Sequence, residues 1–265
     1  MVKESLLTLG WELATSTRAL SQMRLGSKSD TKTTGFPVLD GQELTDKDGF
    51  KATLLLRKHM NVLHAVIRPT PGQDREHSSR ERVLHQKVAA REALHEAASR
   101  QGIHFPSLDR DEHGAPLPVR GRYWSITHTA EYVAGAAAVW PLGIDIERLR
   151  TPSAEVIAEA ASPGEIDMVR KLFEVCEVEA FTRIWSAKEA LLKLSGEGLA
   201  GLSKCTIGST NLTDTRPGLW IRHDRMEHFV HQMLRDDHIA SVTCDQVQQV
   251  QWDWHGHLVG ARGTR

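Results

Sequence analysis

The chain has 265 residues, 40% of them hydrophobic and 25% charged, which is typical of a globular protein with one large domain or two halves. Its 33 lysines and arginines nearly balance 34 aspartates and glutamates, and the formal charge of -1 excludes a polybasic nucleic-acid binder. Its three cysteines are widely spaced and favour a reducing compartment. Neither a secretory leader nor a bilayer-spanning apolar stretch is evident, so we expect a cytoplasmic protein with no membrane partner.

The N-terminal region gives weak patterns. Residues 1–45 predict a partly mobile extension, with a short helix at 6–20 and a polar linker at 27–41. Segments 51–57 and 61–68 are apolar and β-leaning, and the short polar turn between them favours a hairpin.

An apolar stripe predicts a helix over residues 75–101, which ends before Gly102. The stripe consists of Val83, Leu84, Val88, Ala90, Leu94 and Ala97. The opposite face is unusually basic and contains Arg80, Arg82, Lys87 and Arg91. These cations either form a solvated face balanced by acids of the same helix or face an anionic ligand.

A loop, further strands and a helical region follow. The loop covers residues 109–118. Strands are predicted at 122–127, 132–140 and 143–148, mostly helix at 151–195, and strands again at 204–209, 218–222, 227–234 and 239–245. Residues 141 and 142 form a joint short enough for a hairpin. This order predicts an α+β fold in two halves, 46–141 and 142–250, followed by a tail at 251–265.

The strand at 143–148 carries two acids on one face. Asp145 and Glu147 alternate with Ile144 and Ile146, so the carboxylates point one way and the isoleucines point into the core. Such a pair suits Mg²⁺, which takes its remaining ligands from water and phosphate. The alternative is an edge strand whose polar face lies in water.

Residues 125–129 leave a strand with three hydroxyls and an imidazole. These groups make a plausible anion cradle in which His128 donates to a phosphate oxygen. The alternative is simple exposure to solvent, which is more common for a lone histidine in a turn.

A helix predicted over 174–195 carries the third polar group. Its core-facing stripe comprises Phe181, Ile184, Leu191 and Leu192. One polar edge holds Thr182, Ser186, Glu189 and Lys193. The helix is either a surface element with a Glu189–Lys193 pair, or part of a site in which Glu189 is a third metal carboxylate and Lys188 and Lys193 bind phosphate.

Three motifs together resemble the signature of the 4′-phosphopantetheinyl transferases. They are Thr-His-Thr at 127–129, Gly-Ile-Asp-Ile-Glu at 143–147 and Trp-Ser-Ala-Lys-Glu-Ala-Leu-Leu-Lys at 185–193. Over residues 75–210, order and spacing are similar to the larger, monomeric type that activates siderophore, surfactin and polyketide synthases. The resemblance implies two similar α+β halves with coenzyme A in the cleft between them. It also implies Mg²⁺-dependent transfer of 4′-phosphopantetheine from coenzyme A to a serine of an acyl or peptidyl carrier protein, releasing 3′,5′-ADP.

The resemblance further implies roles for individual residues. Asp145, Glu147 and Glu189 would hold Mg²⁺ against the pyrophosphate, and Glu189 would thereby be catalytic. Glu147 or Lys188 would accept the serine proton. The nucleotide would contact His128, Thr127, Lys193, Arg80, Arg82, Lys87, Gly114 and Pro116.

Two positions depart from the family pattern. The usual Ser-His-Ser is Thr-His-Thr at 127–129, which keeps the hydroxyls. The usual Gly-Lys-Pro is Gly-Ala-Pro at 114–116, which removes a cation. We expect weaker nucleotide binding, or replacement of that cation by an arginine of the preceding helix.

Two other functions compete with transfer. One is a non-catalytic relative that binds coenzyme A or a carrier protein without turnover; retention of the three acids and two lysines argues against it. The other is a zinc-binding protein built on His223, His228 and His231. It is disfavoured because residues 228 and 231 fall on opposite faces of a predicted strand.

Overall fold

The computed structural model describes residues 62–70, 79–208 and 216–256, apart from 246 and 248. The predicted helix at 6–20, linker at 27–41 and strand at 51–57 lie outside these residues. Within the described ranges, no helix is both long and apolar enough to cross a membrane.

The described residues form nine strands, four α-helices and one 3₁₀ helix, which confirms the predicted α+β class. In chain order they are β1 (Val62–Pro69), α1 (Ser79–Arg100), β2 (Tyr123–His128), β3 (Tyr132–Ala138), β4 (Gly143–Arg148), α2 (Ala154–Ala160), α3 (Pro163–Phe173), α4 (Glu177–Ser195), the 3₁₀ helix (Gly198–Lys204), β5 (Cys205–Ile207), β6 (Gly218–His223), β7 (Met226–Arg235), β8 (His238–Thr243) and β9 (Gln249–Trp254).

The strands form two sheets. Sheet 1 has the order β2-β3-β1-β9, and sheet 2 has the order β4-β8-β7-β6-β5. Strand β9 pairs in parallel with β1, from Val62 opposite Gln249 to Ile67 opposite Trp254. The prediction of a tail from residue 251 is therefore wrong for residues 251–254. Alternating apolar side chains at 250, 252 and 254 pack on the sheet-1 core, so this segment completes the sheet.

The predicted hairpin at residues 141 and 142, which would pair β3 with β4, is also wrong. Strand β3 is flanked by β2 and β1 in sheet 1, so it has no free edge for β4. Strand β4 pairs instead with β8, where Asp145 lies opposite Ser241. Pro141 and Leu142 thus cross between sheets, and Ala134, Ile144 and their neighbours share one apolar core between the sheets.

Helix α1 packs on sheet 1 through alanines of its second half. Ala90, Ala93 and Ala97 are fully buried, whereas Leu84 is 59% exposed and Val88 49% exposed. The predicted stripe is thus wrong for Leu84 and Val88. Helix α1 can approach β3 closely because residue 135 is a glycine. A Cβ at this position would lie only 2.5 Å from the Leu94 nitrogen.

Helix α4 is a central element, and of its two predicted alternatives the surface helix is wrong. Residues 180–192 are all buried, including the polar ones. Ser186 shares a hydrogen bond of 2.7 Å with the hydroxyl of Ser241. A Cβ at Gly143 would overlap the Ala190 carbonyl oxygen, so this glycine lets α4 lie directly against the start of β4.

Candidate active site

Three carboxylates are buried where β4 faces α4. Asp145 is 3% exposed, Glu147 7% and Glu189 3%. Side chains of β4 alternate between its two faces as predicted, since Ile144 and Ile146 belong to the core between the sheets. Strand β4 does lie at the edge of sheet 2, but the alternative in which its acids face water is wrong, because both acids are buried.

The acids are close enough to repel each other. Burial raises the pKa of Glu147 well above its ordinary value, and the negative charges of Asp145 and Glu189 raise it further. Two groups act in the opposite direction: Trp185 Nε1 donates a 3.0 Å hydrogen bond to Glu147 Oε1, and Arg150 supplies a positive charge. The net effect of these groups favours the protonated form of Glu147.

Lys193 and Thr127 bind one side of this cluster. Lys193 Nζ donates to Asp145 Oδ1 at 2.6 Å and to Thr127 Oγ1 at 3.2 Å. Thr127 Oγ1 donates to the same Asp145 oxygen at 3.0 Å, which joins β2 of sheet 1 to β4 of sheet 2. Asp145 Oδ2 is buried yet finds no hydrogen-bond donor among the described residues. A buried carboxylate oxygen in that state fits a metal ligand.

Lys188, the neighbour of Glu189, contacts groups outside this carboxylate cluster. Its Nζ donates to the Ala160 carbonyl oxygen and to Glu165 Oε1, each at 2.9 Å, and the side chain is 3% exposed. Glu165 also accepts the backbone N–H of Ile207 at 2.8 Å. Lys188 thus ties α4 to the end of α2, the start of α3 and strand β5.

His128 ends β2 and is partly buried. By alternation it follows the direction of Ile126, which packs against the α1 cluster, while Thr127 faces Asp145. Gln86 of α1 donates to the Thr129 carbonyl oxygen at 3.0 Å. The basic first half of α1 therefore lies beside the turn that follows His128, and its residues Arg80, Arg82 and Lys87 are exposed.

The loop at 109–118 supplies a cation that sequence reasoning missed. Arg110 lies 5.0 Å from the Trp124 ring centroid and donates to the Gly114 carbonyl oxygen at 2.5 Å. Desolvation and the nearby charge of Arg91 lower its pKa. Gly114 adopts a positive φ of 84°, and Arg110 pairs with Pro116 in an isolated bridge. Two like charges held together beside a loop favour an anion between them.

Beside the carboxylates lies an open pocket of about 220 Å³. Its lining includes Glu147, Arg150, Ser153, Phe181, Thr182 and Trp185. Trp185 and Arg150 were not predicted as site residues, because no sequence period shows that they meet Glu147.

The three histidines considered for zinc do not act together. His228 Nδ1 lies 2.8 Å from Asp245 Oδ1, and His231 packs edge-on against Phe229. His223 sits opposite Met226 at the other end of the β6–β7 pair from His231, which lies opposite Gly218.

Comparison with known proteins finds a similar family for the part of the chain that carries the acids. Residues 141–243 match the model of the 4′-phosphopantetheinyl transferase superfamily. A stretch of 131 residues is 30% identical to the 4′-phosphopantetheinyl transferase psf-1 of Bacillus pumilus and covers 47% of this chain and 54% of that relative. Residues 141–243 are therefore similar to this superfamily.

Other members of the superfamily match shorter stretches. The 4′-phosphopantetheinyl transferase Sfp of Bacillus subtilis strain 168 is 30% identical over 91 residues, 34% of this chain and 41% of the relative. The 4′-phosphopantetheinyl transferase HetI of a Nostoc species is 38% identical over 78 residues, 29% and 32% of the two chains. The chain thus matches about half or less of each relative's length. The superfamily match contains both acidic motifs and begins after Thr127 and His128.

Proposed function

We propose that this protein transfers 4′-phosphopantetheine from coenzyme A to a serine of an acyl or peptidyl carrier protein and releases 3′,5′-ADP. The observation that carries the proposal is the buried cluster of Asp145, Glu147 and Glu189 with Lys193 at its side, in the segment that is similar to this superfamily. Burying three acids close together is costly, and a bound cation would lower that cost.

Asp145, Glu147 and Glu189 would hold that cation, and Mg²⁺ suits an all-oxygen set of carboxylates and phosphates. The buried Asp145 Oδ2 and the raised pKa of Glu147 both support this assignment. When bound, Mg²⁺ would neutralise charge on the pyrophosphate and so favour its attack by a hydroxyl.

Glu147 is the base that the geometry supports. It borders the open pocket, where the serine of a carrier protein could approach. The serine oxygen would bond to the β-phosphorus as the bond from that phosphorus to the oxygen of 3′,5′-ADP breaks. The serine proton would pass to a Glu147 carboxylate oxygen.

Lys188 is a positioning residue in this proposal. Its ammonium donates to two oxygens of α2 and α3, and a lysine that is held as a donor cannot also accept a proton. Lys193 is the better phosphate ligand, because its ammonium already lies among the acids and could share its protons between Asp145 and a pyrophosphate oxygen.

The nucleotide would lie along the β2–β3 turn and the first half of α1. His128, Thr127 and the cations Arg80, Arg82 and Lys87 remain candidates for its phosphates, with Gly114 and Pro116 in the neighbouring loop. We propose Arg110, supported by Arg91, as the replacement for the cation that is missing at Ala115.

The test is transfer itself. The full chain is mixed with coenzyme A, Mg²⁺ and apo-carrier proteins from fatty-acid, polyketide, nonribosomal-peptide and siderophore synthesis, and phosphopantetheine addition is followed by mass spectrometry. We expect modification of at least one carrier, and none when the carrier serine is alanine. Coenzyme A binding without transfer to any carrier would instead support the non-catalytic function.

A further inference from the structure

We propose a second metal site, formed by Glu197, His223 and Asp224 and selective for Zn²⁺ or a similar transition-metal ion. Glu197 lies between α4 and the 3₁₀ helix, His223 ends β6, and Asp224 begins the turn to β7. One ligand atom from each residue lies within 4.8 Å of the others. The three residues come from segments that are distant in sequence but adjacent in the fold.

His223 is the residue that points to a ligand. It is 8% exposed, and its Nε2 is buried but makes no hydrogen bond with any described residue. Glu197 Oε1 lies 3.4 Å from this nitrogen in an orientation unsuited to a hydrogen bond. A buried imidazole nitrogen without a hydrogen-bond partner is costly, and a shared cation between the two atoms would remove that cost.

The donor set identifies the class of metal. One imidazole nitrogen and two carboxylate oxygens suit Zn²⁺, with a fourth position for water, whereas Mg²⁺ prefers oxygen alone. Bonds of about 2.0–2.1 Å put tetrahedral ligands about 3.4 Å apart, so the side chains must close by roughly 1 Å. Glu197 is partly exposed and Asp224 exposed, which leaves both free to rotate around the fixed histidine.

A lysine competes for the same site. Lys204 Nζ donates to Glu197 Oε2 at 2.7 Å, but the other oxygen, Oε1, faces His223. The carboxylates of Glu197 and Asp224, which attract this ammonium, would also attract a metal ion.

Cys205 is not part of the donor set. It lies opposite His223 in the β5–β6 pair, but its thiol donates to the Gly201 carbonyl oxygen at 3.7 Å. Burial raises the pKa of this thiol to about 11, which keeps it protonated at neutral pH.

A metal at this site would fasten the β6–β7 turn to the end of α4. Lys193, which contacts Asp145, lies one helical turn before Glu197. The ion would thus be structural and would stabilise the end of the helix that carries part of the proposed catalytic cluster. Its binding does not depend on transferase activity.

Zinc titration of the full chain tests the proposal. Isothermal calorimetry is run with excess Mg²⁺ present, so that Asp145, Glu147 and Glu189 do not compete for zinc. We expect one zinc equivalent, and Co²⁺ in its place should give the visible absorption of a tetrahedral nitrogen–oxygen site. Glu197→Gln and Asp224→Asn should each weaken binding at least tenfold, about 1.4 kcal/mol.

The matched variants separate this site from others. Lys204→Gln removes the competing ammonium and should tighten binding, whereas His113→Gln, at an exposed histidine beside Glu112, should leave it unchanged. His223→Gln should abolish binding if circular dichroism shows that it folds. The proposal would be overturned if the wild-type chain did not bind zinc, or if Glu197→Gln and Asp224→Asn both left zinc binding unchanged. Glu197 and His223 would then form an ordinary ion pair.

Discussion

At the scale of single residues, the acids of β4 and α4 differ in what surrounds them. Glu147 has a tryptophan donor and an open pocket, Asp145 has a lysine and a threonine, and Glu189 sits on a helix buried on all sides. Equal charges can therefore have unequal roles. Glu189 is the cleanest probe of the proposed metal site, because its change to glutamine removes charge but almost no volume.

Glu189→Gln should lower transfer by about 10²-fold or more while the protein stays folded, because a positioned charge at the transferred group is lost. The rate is measured with a carrier protein at saturating coenzyme A, and thermal unfolding serves as the check on the fold. Glu177→Gln, at an exposed acid of the same helix, is the control. Activity within a few-fold of wild type would remove Glu189 from the metal site.

Lys188→Met should lower stability and transfer together, since it breaks the bond to Glu165 that holds α3 on α4. Leaving one member of a buried pair unpaired costs about 3–5 kcal/mol. The distinguishing measurement is the pH profile of kcat in the residual activity. If Lys188 only positions α4, the profile keeps its shape; loss of one limb would make Lys188 the base.

Glu165 should make stability depend on pH. Burial alone would raise the pKa of Glu165, but backbone N–H groups of Ser162 and Ile207, with Lys188, outweigh it and lower the pKa. Because the folded-state pKa is depressed, the ionised group stabilises the fold above its unfolded pKa, and this contribution is lost as the pH falls through the folded pKa.

Denaturant unfolding at several pH values measures this contribution. We expect Glu165→Gln to be less stable than wild type by about 1–3 kcal/mol at neutral pH. The difference should shrink from about pH 5 downward, as the wild-type carboxylate takes up a proton. Glu159→Gln, at an exposed acid of α2, should show neither effect. A difference that stays constant across the acid range would contradict the assignment.

Sequence reasoning worked for residues whose partners follow from local periodicity. The shared face of Asp145 and Glu147 follows from strand alternation, and the structure keeps it. It missed Arg110 and Trp185, because their contacts depend on how distant elements are stacked. No spacing rule connects Trp185 of a helix to Glu147 of a strand 38 residues away.

At the scale of elements, α4 is placed by a glycine. Gly143 begins the strand that carries Asp145 and Glu147, and it touches the turn of α4 that carries Glu189. The strand type and helix type were predictable from pattern, and the observed α4, Glu177–Ser195, lies inside the predicted range. Its complete burial was not predictable, because amphipathic spacing looks the same when polar residues face a site as when they face water.

Gly143→Ala should move the helix away from the strand and destabilise the protein by about 1–3 kcal/mol, as overpacking does. The transfer rate should fall by more than the loss of folded protein explains, because Glu189 and Asp145 would move apart. Gly164→Ala is the matched control, since a Cβ there meets no atom within 4 Å. Thermal unfolding and transfer rates are compared for both variants. Equal stability of the two would contradict the close packing of α4 on β4.

At the scale of the whole molecule, sheet 1 is completed by β9, which follows all the strands of sheet 2 along the chain. Asp253 of β9 accepts from His64 Nδ1 at 3.0 Å in one tautomer and pairs with Arg100. These contacts hold β9 to β1 and to the end of α1. The pattern at 250–254 alternates as a strand should, but a predicted strand gives no information about which sheet it joins.

Asp253→Asn should loosen β9 selectively, because it removes the carboxylate that Arg100 and His64 share. We expect faster amide hydrogen exchange in β9 and a loss of about 1–3 kcal/mol in global stability. Gln251→Ala, at an exposed residue of the same strand, is the control. Unchanged exchange in β9 would show that backbone pairing alone holds the strand.

The register of β4 and β8 has a mechanical consequence. Gly143 lies opposite Thr243, so both chain crossings between the sheets leave sheet 2 at the same corner. The opposite end of the β4–β8 pair has no chain crossing to sheet 1 among the described residues. At that end Arg148 and His238 of sheet 2 contact Glu131, which lies in the turn between β2 and β3 of sheet 1. Separation of the two sheets there would break these ion pairs first, and Glu147 is the chain neighbour of Arg148.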